Sequence, residues 1–477
     1  MRGTALGLAL LLPSLCAVSQ GLPSRPEELP PSPPPAFSPP VPARATLSNG
    51  MRLILLPDHA LPLVRLTACV QAGSVYDPED RPGVALLTGE SLKAGGTRRY
   101  PADAMLESLE SMAAELTTEI GTEEGRVTLS VLAKDLPRAL PVFADLLMHP
   151  AFAPEKVAVE KAKLIEGLRR VEEDPFGVSL REMKKRLYGA ASPWARTARV
   201  ADLEALGPAD LAAFHARYFC PGGVILAASG DFDPKALERA LAGAFAAWKP
   251  GRPGYPAVAP APQGATPGVL LMDKPGLTQT TVLVGQLTAP RGTGAAFNRD
   301  TYAMDVANFY FGGGDFSSRL MREIRSNRGL AYGAGSTVNF GTSRGFLIAY
   351  TQTAPETTAQ TLEVLRREFT RAAAEPPSGQ ELAGAKESLV NQFVFRYQNA
   401  GQIVSRAAVQ EMEGYPADYL ATYLERVKAV TAQDCRAVFA KYVKPAELTY
   451  FVLGPAGPLK EPLAAFGEVE VQKVPQP

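Results

Sequence analysis

Histidine and cysteine, the side chains best suited to hold a metal or act as a nucleophile, number only three and four in this 477-residue chain. His59 lies in the turn Pro57-Asp58-His59-Ala60, His149 precedes Pro150, and His215 sits in a helical stretch with no His or Cys three or four residues away. A zinc site built on a helix needs ligands that share one face, as positions i and i+4 do. No such pair is present, so each histidine reads as structural or solvated. The cysteines are widely spaced, without a CxxC or a Cys/His cluster, and Cys69, Cys220 and Cys435 read as small buried hydrophobes. The run Gly312-Gly313-Gly314 is not a phosphate loop: its spacing is not G-x-x-x-x-G-K-[ST] and no lysine follows. It reads instead as a flexible turn, followed by a helix cap at Ser317/Ser318, a short helix, a stop at Gly329 and a strand from about Leu330. That segment carries Arg319, Arg322, Arg325, Arg328 and Tyr332. A guanidinium can hold a peptide carbonyl, and a phenol can donate to a developing oxyanion. Equally, Arg325 can favour a helix C-terminus and Tyr332 can be a half-buried strand residue.

The elements that must position these residues recur. Met51 to Leu56 reads as a strand, Leu63 to Val70 as a second, and Gly83 to Lys93 as a helix. Further on, Gly268 to Met272 is a strand, Thr280 to Leu287 another, and Pro275 falls 218 residues after Pro57 by subtraction. The unit ends match as well. Ala216-Arg217-Tyr218-Phe219-Cys220-Pro221 precedes the strand Val224 to Ala228 and Gly230. Ala440-Lys441-Tyr442-Val443-Lys444-Pro445 precedes the strand Leu448 to Leu453 and Gly454. The Tyr, Pro and Gly positions are each offset by 224. In both copies a helix meets a proline that breaks it, and a strand follows. Residues 45–248 and 268–477 therefore read as two homologous halves, joined by a Pro-, Gly- and Ala-rich linker at 249–267. Strands at the ends and long helices between them, such as Pro154 to Glu173, Thr357 to Ala374 and Gly379 to Arg396, give an α+β class. Each half is expected to be a mostly antiparallel sheet with helices packed on one face.

Residues 1–19 read as a cleaved signal peptide: Arg2, an apolar run from Ala5 to Leu12, then Ala17-Val18-Ser19 at cleavage spacing. Leu15 stands before Cys16 where a lipoprotein signal wants a small residue, so lipidation at Cys16 is not expected. A proline-rich leader follows at 20–44. The run is too short to span a bilayer, and no later stretch reaches the roughly 20 apolar residues needed. Lys+Arg and Asp+Glu both total 49, so no one-signed field draws in nucleic acid or an anionic membrane. The protein is expected to be periplasmic or secreted.

The run Gly312-Gly313-Gly314-Asp315-Phe316-Ser317-Ser318-Arg319-Leu320, with Glu323-Ile324-Arg325 and Gly329-Leu330-Ala331-Tyr332, resembles the insulinase/pitrilysin/processing-peptidase family of zinc peptidases. The resemblance extends over nearly the whole mature chain and implies two related α+β halves closing around an extended peptide. Such members carry an inverted zinc motif, H-x-x-E-H, on a helix of the first half, with a distant Glu as third ligand. The matching stretch here is Gly83 to Leu92. It implies Leu86 where the first His belongs, Gly89 where the general base belongs, and Glu90 where the second His belongs. Counting seven from Glu160, the third ligand's place falls on Gly167, with Glu166 turned away by one residue on the helix. These are degenerate zinc-motif positions, and no metal is expected in this chain.

Arg325 and Tyr332 match the spacing of the family's Arg-Tyr pair, which reaches the substrate near zinc. The strand Gly345 to Thr351 matches a region where family edge strands take up peptide by main-chain pairing. The resemblance thus implies a zinc-free subunit of a periplasmic heteromeric metallopeptidase. A homologous zinc-bearing subunit would be its partner, and Arg325 and Tyr332 would contact the substrate and transition state in trans. No independent peptidase activity is expected. The competing reading is a catalytically inactive peptide-binding or scaffold protein of the same fold. A third, an independent peptidase of other chemistry, lacks any Ser/His or Cys/His pairing by motif.

Overall fold

The structure, a computed structural model, describes residues 39–171, 173–262 and 266–474. The expected signal peptide and most of the proline-rich leader lie outside the described residues. Two six-stranded sheets organise the chain. The first contains β1 (Ala43–Thr46), β2 (Arg52–Pro57), β3 (Leu63–Val70), β4 (Glu115–Ile120), β5 (Gly125–Leu132) and β6 (Val224–Gly230), in the order β1-β2-β6-β3-β5-β4. The second contains β7 (Gly268–Asp273), β8 (Thr280–Leu287), β9 (Ala331–Val338), β10 (Phe346–Thr353), β11 (Thr449–Gly454) and β12 (Val469–Lys473), in the order β12-β7-β11-β8-β10-β9.

Five strands of each sheet follow one scheme. The first of the five pairs parallel with the last, β2 with β6 and β7 with β11. The remaining three pairings of each set are antiparallel. Only the added edge strand differs: β1 comes from the N-terminal side and pairs antiparallel with β2, whereas β12 comes from the C-terminus and pairs parallel with β7. The duplication read from the Tyr, Pro and Gly spacing is thus a duplicated topology. The fold is α+β, with two halves.

Helices of each half pack on one face of its sheet, and the other face is covered by a helix of the opposite half. β8 and β11 are buried at every position, which a solvated sheet face would not allow. The helix Pro175–Tyr188, from the first half, packs on β8 and β11. Its Val178, Met183 and Leu187 share one core with Leu270, Leu283 and Phe451. Reciprocally, the helix Ala400–Met412 packs on β2, β3 and β6, and Ile403, Val404 and Ala407 share a core with Ile54, Cys69 and Ile225. Both helices start at an Asx cap: Asp174 accepts from the amides of Phe176 and Gly177, and Asn399 from that of Gln402. The caps stand at equivalent points of the two copies, 225 residues apart by subtraction. Fully burying one such aliphatic side chain contributes roughly 1.5–3 kcal/mol, so the exchange ties the halves together strongly. Arg52 Nη1 adds an ion pair to Glu411 Oε1 at 2.8 Å across the same contact.

The described part of the linker has no helix or strand but is fastened to both halves. Tyr255 packs against Tyr76 and Tyr218, and the Ala261 amide donates to Ser343 Oγ at 2.8 Å. Among the described residues, no helix is long and apolar enough to cross a membrane.

Candidate functional site

In the first half, the helix Val84–Ala94 begins on a buried carboxylate. Asp77 accepts from the amides of Gly83 at 2.6 Å and Ala85 at 3.0 Å, which anchors the first turn. Burial pushes the Asp77 carboxyl up to about 6, and those two amides hold it down against that rise. The helix packs on the edge strand β4 and on the helix Pro154–Val171. The four positions of the degenerate motif therefore lie on two helices that touch. Leu86 is half-buried and offers no donor, Glu90 is exposed, and Gly167 faces open space. Gly89 has a packing role. A Cβ there would lie 2.9 Å from the Ile120 amide nitrogen, and Thr118 Oγ1 donates to the Gly89 carbonyl at 2.7 Å. The helix comes this close to β4 because position 89 has no side chain, and the strand fills the space that one would occupy.

Glu90, the one ionisable group of the four, is already coupled to its surroundings. Burial, then Glu160, raise its carboxyl, while Lys163 opposes them. Lys163 Nζ in turn donates to Glu160 Oε1 at 2.8 Å. An ammonium thus sits beside both carboxylates. Among the described residues, no group of three or more His, Cys, Asp and Glu could hold a metal ion. A leucine and two glycines supply no metal-ligand chemistry, so the residues at these positions do not fit zinc.

The three histidines each have another partner. His59 Nδ1 pairs with Asp231 at 2.7 Å, and His149 Nδ1 with Asp145 at 2.9 Å. His215 is buried, its Nε2 lies 3.0 Å from the Leu147 carbonyl, and its ring stacks on Phe219. Burial lowers the His215 pKa to about 4, so the ring is neutral and Nε2–H donates. Cys69 and Cys435 are buried, and burial pushes both thiols up to about 12, far from a nucleophilic thiolate.

In the second half, the glycine run is not the flexible turn its composition suggested. Phe309–Gly313 forms a π-helical turn continuing the helix Asp300–Asn308; it is buried through Gly312, and Gly313 is exposed. A Cβ on Gly312 would collide with Ser336 Oγ of β9 and with Leu320, so the missing side chain lets this turn press onto the edge strand. Ser336 Oγ fixes the contact by donating to Asn308 Oδ1 at 2.7 Å. Ser318 then caps a short helical segment, accepting from the Met321 amide.

The arginines of this segment divide sharply. Arg319 is 1% exposed and forms a bidentate pair with Glu381, Nε to Oε1 and Nη2 to Oε2, both at 2.8 Å. Arg322 Nη2 joins at 3.0 Å. Glu381 also accepts from the Ser378 amide, within the capping box of the helix Gly379–Arg396. Burial alone would raise the Glu381 carboxyl, but the Arg319, Ser378 and Arg322 hydrogen bonds outweigh it and hold the group well below the usual carboxylate range. Arg328 pairs with Glu323. These three arginines are structural.

Arg325 is different. Among the described residues it has no ion-pair or hydrogen-bond partner for its guanidinium, and Nη1 is buried without one. The guanidinium lies between two rings, 4.8 Å from the centroid of Phe316 and 5.0 Å from that of Tyr332. Both rings are open to solvent, Phe316 at 72% and Tyr332 at 85% exposure. The register of β9 against β10 explains Tyr332. Thr351 pairs with Ala334 and Thr353 with Ala331, so β9 carries one extra residue at Tyr332-Gly333. A bulge of this kind re-aims the local side chain and disrupts the ladder. Thr351 Oγ1 and Thr353 Oγ1 hold it from beneath, donating to the Gly333 and Leu330 carbonyls at 2.7 and 2.6 Å. The strand expected at Gly345 to Thr351 is β10, which is paired on both sides and so is not an edge; β9 is the edge strand, and its outer main-chain groups remain available to an extended chain. The arrangement therefore offers a cation held between aromatic faces, a solvent-facing phenol and an unpaired strand edge. Phe316, the second ring of this cluster, stands in the run that carries the family resemblance but was given no role of its own in the sequence.

Comparison with known proteins places both halves. Residues 53–192 match the model described as insulinase (peptidase family M16), and residues 205–389 match the model described as peptidase M16 inactive domain. An uncharacterized zinc protease of Mycobacterium tuberculosis is 25% identical over 421 residues, 87% of this chain and 94% of that protein. The non-peptidase homolog YmxG of Helicobacter pylori is 22% identical over 398 residues, 83% of this chain and 90% of that one. Among solved structures, the peptidase M16 inactive domain from Pseudomonas fluorescens superposes with a TM-score of 0.78 at 25% identity, covering 87% of this chain and 98% of the other. The periplasmic protease PqqL from Escherichia coli has the same fold at a TM-score of 0.74 and 13% identity, with 92% of this chain matched to 49% of that one. With both halves matched in order, and the duplicated sheets in agreement, the chain belongs to the insulinase (M16) peptidase family.

Proposed function

We propose that this chain is the zinc-free subunit of a heteromeric peptidase, acting in the periplasm after export. The observation that carries the reading is the contrast between an uncommitted Arg325–Tyr332 pair at a free strand edge and zinc positions occupied by Leu86, Gly89, Glu90 and Gly167. The chain would complete a peptide chamber. A homologous subunit with an intact H-x-x-E-H would supply zinc, which activates the attacking water.

Within that chamber, this chain's own groups have defined tasks. The β9 edge pairs with the extended substrate through main-chain hydrogen bonds. Arg325 holds a peptide carbonyl, its charge kept free of carboxylates by the flanking rings. Tyr332 donates to the oxygen on which negative charge develops, the kind of contact typically contributing about 10²–10³ in rate. This chain matches about half the length of PqqL in fold, which accords with a proposed arrangement of two such units, here on separate chains. Purification of the tagged protein from its native periplasm tests the proposal. A zinc-containing homologue should accompany it, and peptidase activity should follow the pair. Recovery without such a partner, with the separated chains as active as the mixture, would overturn it.

A second reading rests on the relative named a non-peptidase homolog: a peptide-binding or scaffold protein of the same fold. It is favoured if replacing Arg325 and Tyr332 leaves the activity of a reconstituted pair unchanged.

A further inference from the structure

A cavity of about 310 Å³ lies away from Arg325 and Tyr332, where the turn after β9 meets the helices Asp300–Asn308, Gly379–Arg396 and Ala400–Met412. Glu123, from the turn between β4 and β5, closes it from the first half. Its two ends carry opposite charge. At one end, Arg396 and Arg406 are both exposed, both act on the half-buried Asp305, and neither forms an ion pair among the described residues. Tyr423 donates to Asp305 Oδ2 at 2.9 Å. Two arginines against one aspartate leave this end positive. Burial pushes the Asp305 carboxyl up to about 6, with Arg396, Arg406 and the Tyr423 hydrogen bond opposing.

At the other end, Glu123 and Glu413 flank Arg291. The Arg291 guanidinium is buried and already donates to the Glu413 carbonyl at 3.1 Å, the Phe340 carbonyl at 3.4 Å and Thr342 Oγ1 at 3.0 Å. Burial raises the Glu413 carboxyl, and Arg291 and Arg406 oppose that rise, so Arg406 is felt here as well; Glu123 and Glu413 nonetheless set two carboxylates against the one committed arginine. Tyr415 stands between them and is acted on by Arg291 and Glu413 as well as by Arg406 and Asp305. The rings of Tyr419 and Tyr423 add an apolar wall.

A simple cation would be repelled by Arg396 and Arg406, and a simple anion by Glu123 and Glu413. A small molecule carrying both charges satisfies both ends. We infer that this cavity binds a short zwitterion of the α-amino acid or dipeptide class, its carboxylate on Arg396 and Arg406, its ammonium toward Glu123 and Glu413, and its side chain against the tyrosines. The volume stands at the small end of ligand pockets, which run from about 300 Å³ upward, as a ligand of one or two residues requires. Paired guanidiniums are the preferred holders of a carboxylate. The inference does not depend on the proposed peptidase partnership, because every group it uses belongs to this chain.

Calorimetric titration of the mature chain tests it, with four probes: Ala-Leu, N-acetyl-Ala-Leu, Ala-Leu amide and leucine. Ala-Leu should saturate one site, and blocking either terminus should weaken binding by roughly tenfold or more, the loss expected when a charged group is left unpaired. Leucine distinguishes the two sources: equal binding assigns the site to free amino acids, and weaker binding assigns it to dipeptides. Arg406→Met, at an exposed position, should bring Ala-Leu down to the affinity of its amide. Arg396→Met provides a second variant if the first fails to fold. Equal binding of the free and blocked dipeptides, or no saturation by Ala-Leu or leucine up to about 10 mM, where binding is too weak to be specific, would overturn the inference.

Discussion

The two halves share one strand scheme and even one packing device, yet they differ in what their polar groups are free to do. In each, a helical segment that follows the second strand of the duplicated unit is pressed onto an edge strand through a glycine: Gly89 onto Ile120 of β4, and Gly312 onto Ser336 of β9. In the first half the closeness leaves no room for a side chain at position 89. β4 runs without a register shift, and Glu90 is coupled to Glu160 and Lys163. In the second half the same closeness supports a bulge that turns Tyr332 outward beside an unpaired Arg325. On the proposed reading, a site is lost from one copy of the fold and kept in the other, and the kept one is marked by an uncommitted polar group held by committed neighbours.

That comparison can be broken most severely at Arg319. Arg319→Ala leaves Glu381 without its bidentate partner in the protein interior, and breaking such a pair typically costs about 3–5 kcal/mol. Urea denaturation should show a loss of that size. A loss near zero would mean that the motif's buried arginine is dispensable and that the division among its arginines has no energetic basis.

The reciprocal helix exchange comes next. Ile403→Ala opens a cavity against β2 and β6 of the other half and should cost about 2–5 kcal/mol, as should Met183→Ala on the opposite side. Both variants should still unfold in one transition, because each core draws on both halves. Two separated transitions would show the halves to be independent.

The halves also differ in acid response, since all three histidines lie in the first. His215 is held neutral by burial, with a folded pKa of about 4 against an ordinary value of 6.5. The unfolded chain binds this proton more readily, so the stabilisation is complete above about pH 6.5 and is lost as pH falls toward 4. At most about 3 kcal/mol is involved. Denaturation across that range should show the slope, and His215→Gln should flatten it. An unchanged slope would assign acid sensitivity elsewhere.

Among the packing variants, the smallest loss of stability is expected at Gly89. Gly89→Ala drives a methyl against the Ile120 backbone, and overpacking of this kind costs about 1–3 kcal/mol. A neutral or stabilising outcome would mean that the helix can move off β4 and that the first half retains room for a side chain at the position of the base.

Much of this organisation was legible in the sequence. The strands Leu63–Val70 and Thr280–Leu287 stand where alternation and apolar runs put them, because short buried strands leave strong local patterns. The shared offset of Tyr218/Tyr442 and Pro221/Pro445 revealed the duplication, since a helix stop and a proline must fall at equivalent places in both copies. Other features were not legible. The amphipathic patterns of Pro175–Tyr188 and Ala400–Met412 say that each buries one face, but not that the face belongs to the opposite half. The triple glycine read as flexible because composition alone does not distinguish a mobile turn from a close approach. The bulge at Tyr332-Gly333 depends on a pairing partner some 20 residues away, at Thr351 and Thr353. Arg319 and Arg325 look alike in the motif, and only the position of Glu381 separates them.

The proposed contrast, a zinc position vacated in one half and an Arg–Tyr pair kept for substrate in the other, is tested most directly by turnover of an extended peptide by this chain combined with the zinc-bearing homologue that the proposal requires. Tyr332→Phe and Arg325→Ala should each lower kcat by about 10²–10³, with stability unchanged within about 0.5 kcal/mol because neither side chain supports the core. Full activity in both variants, with the folded chain still required for turnover, would contradict the contrast and leave this subunit a scaffold.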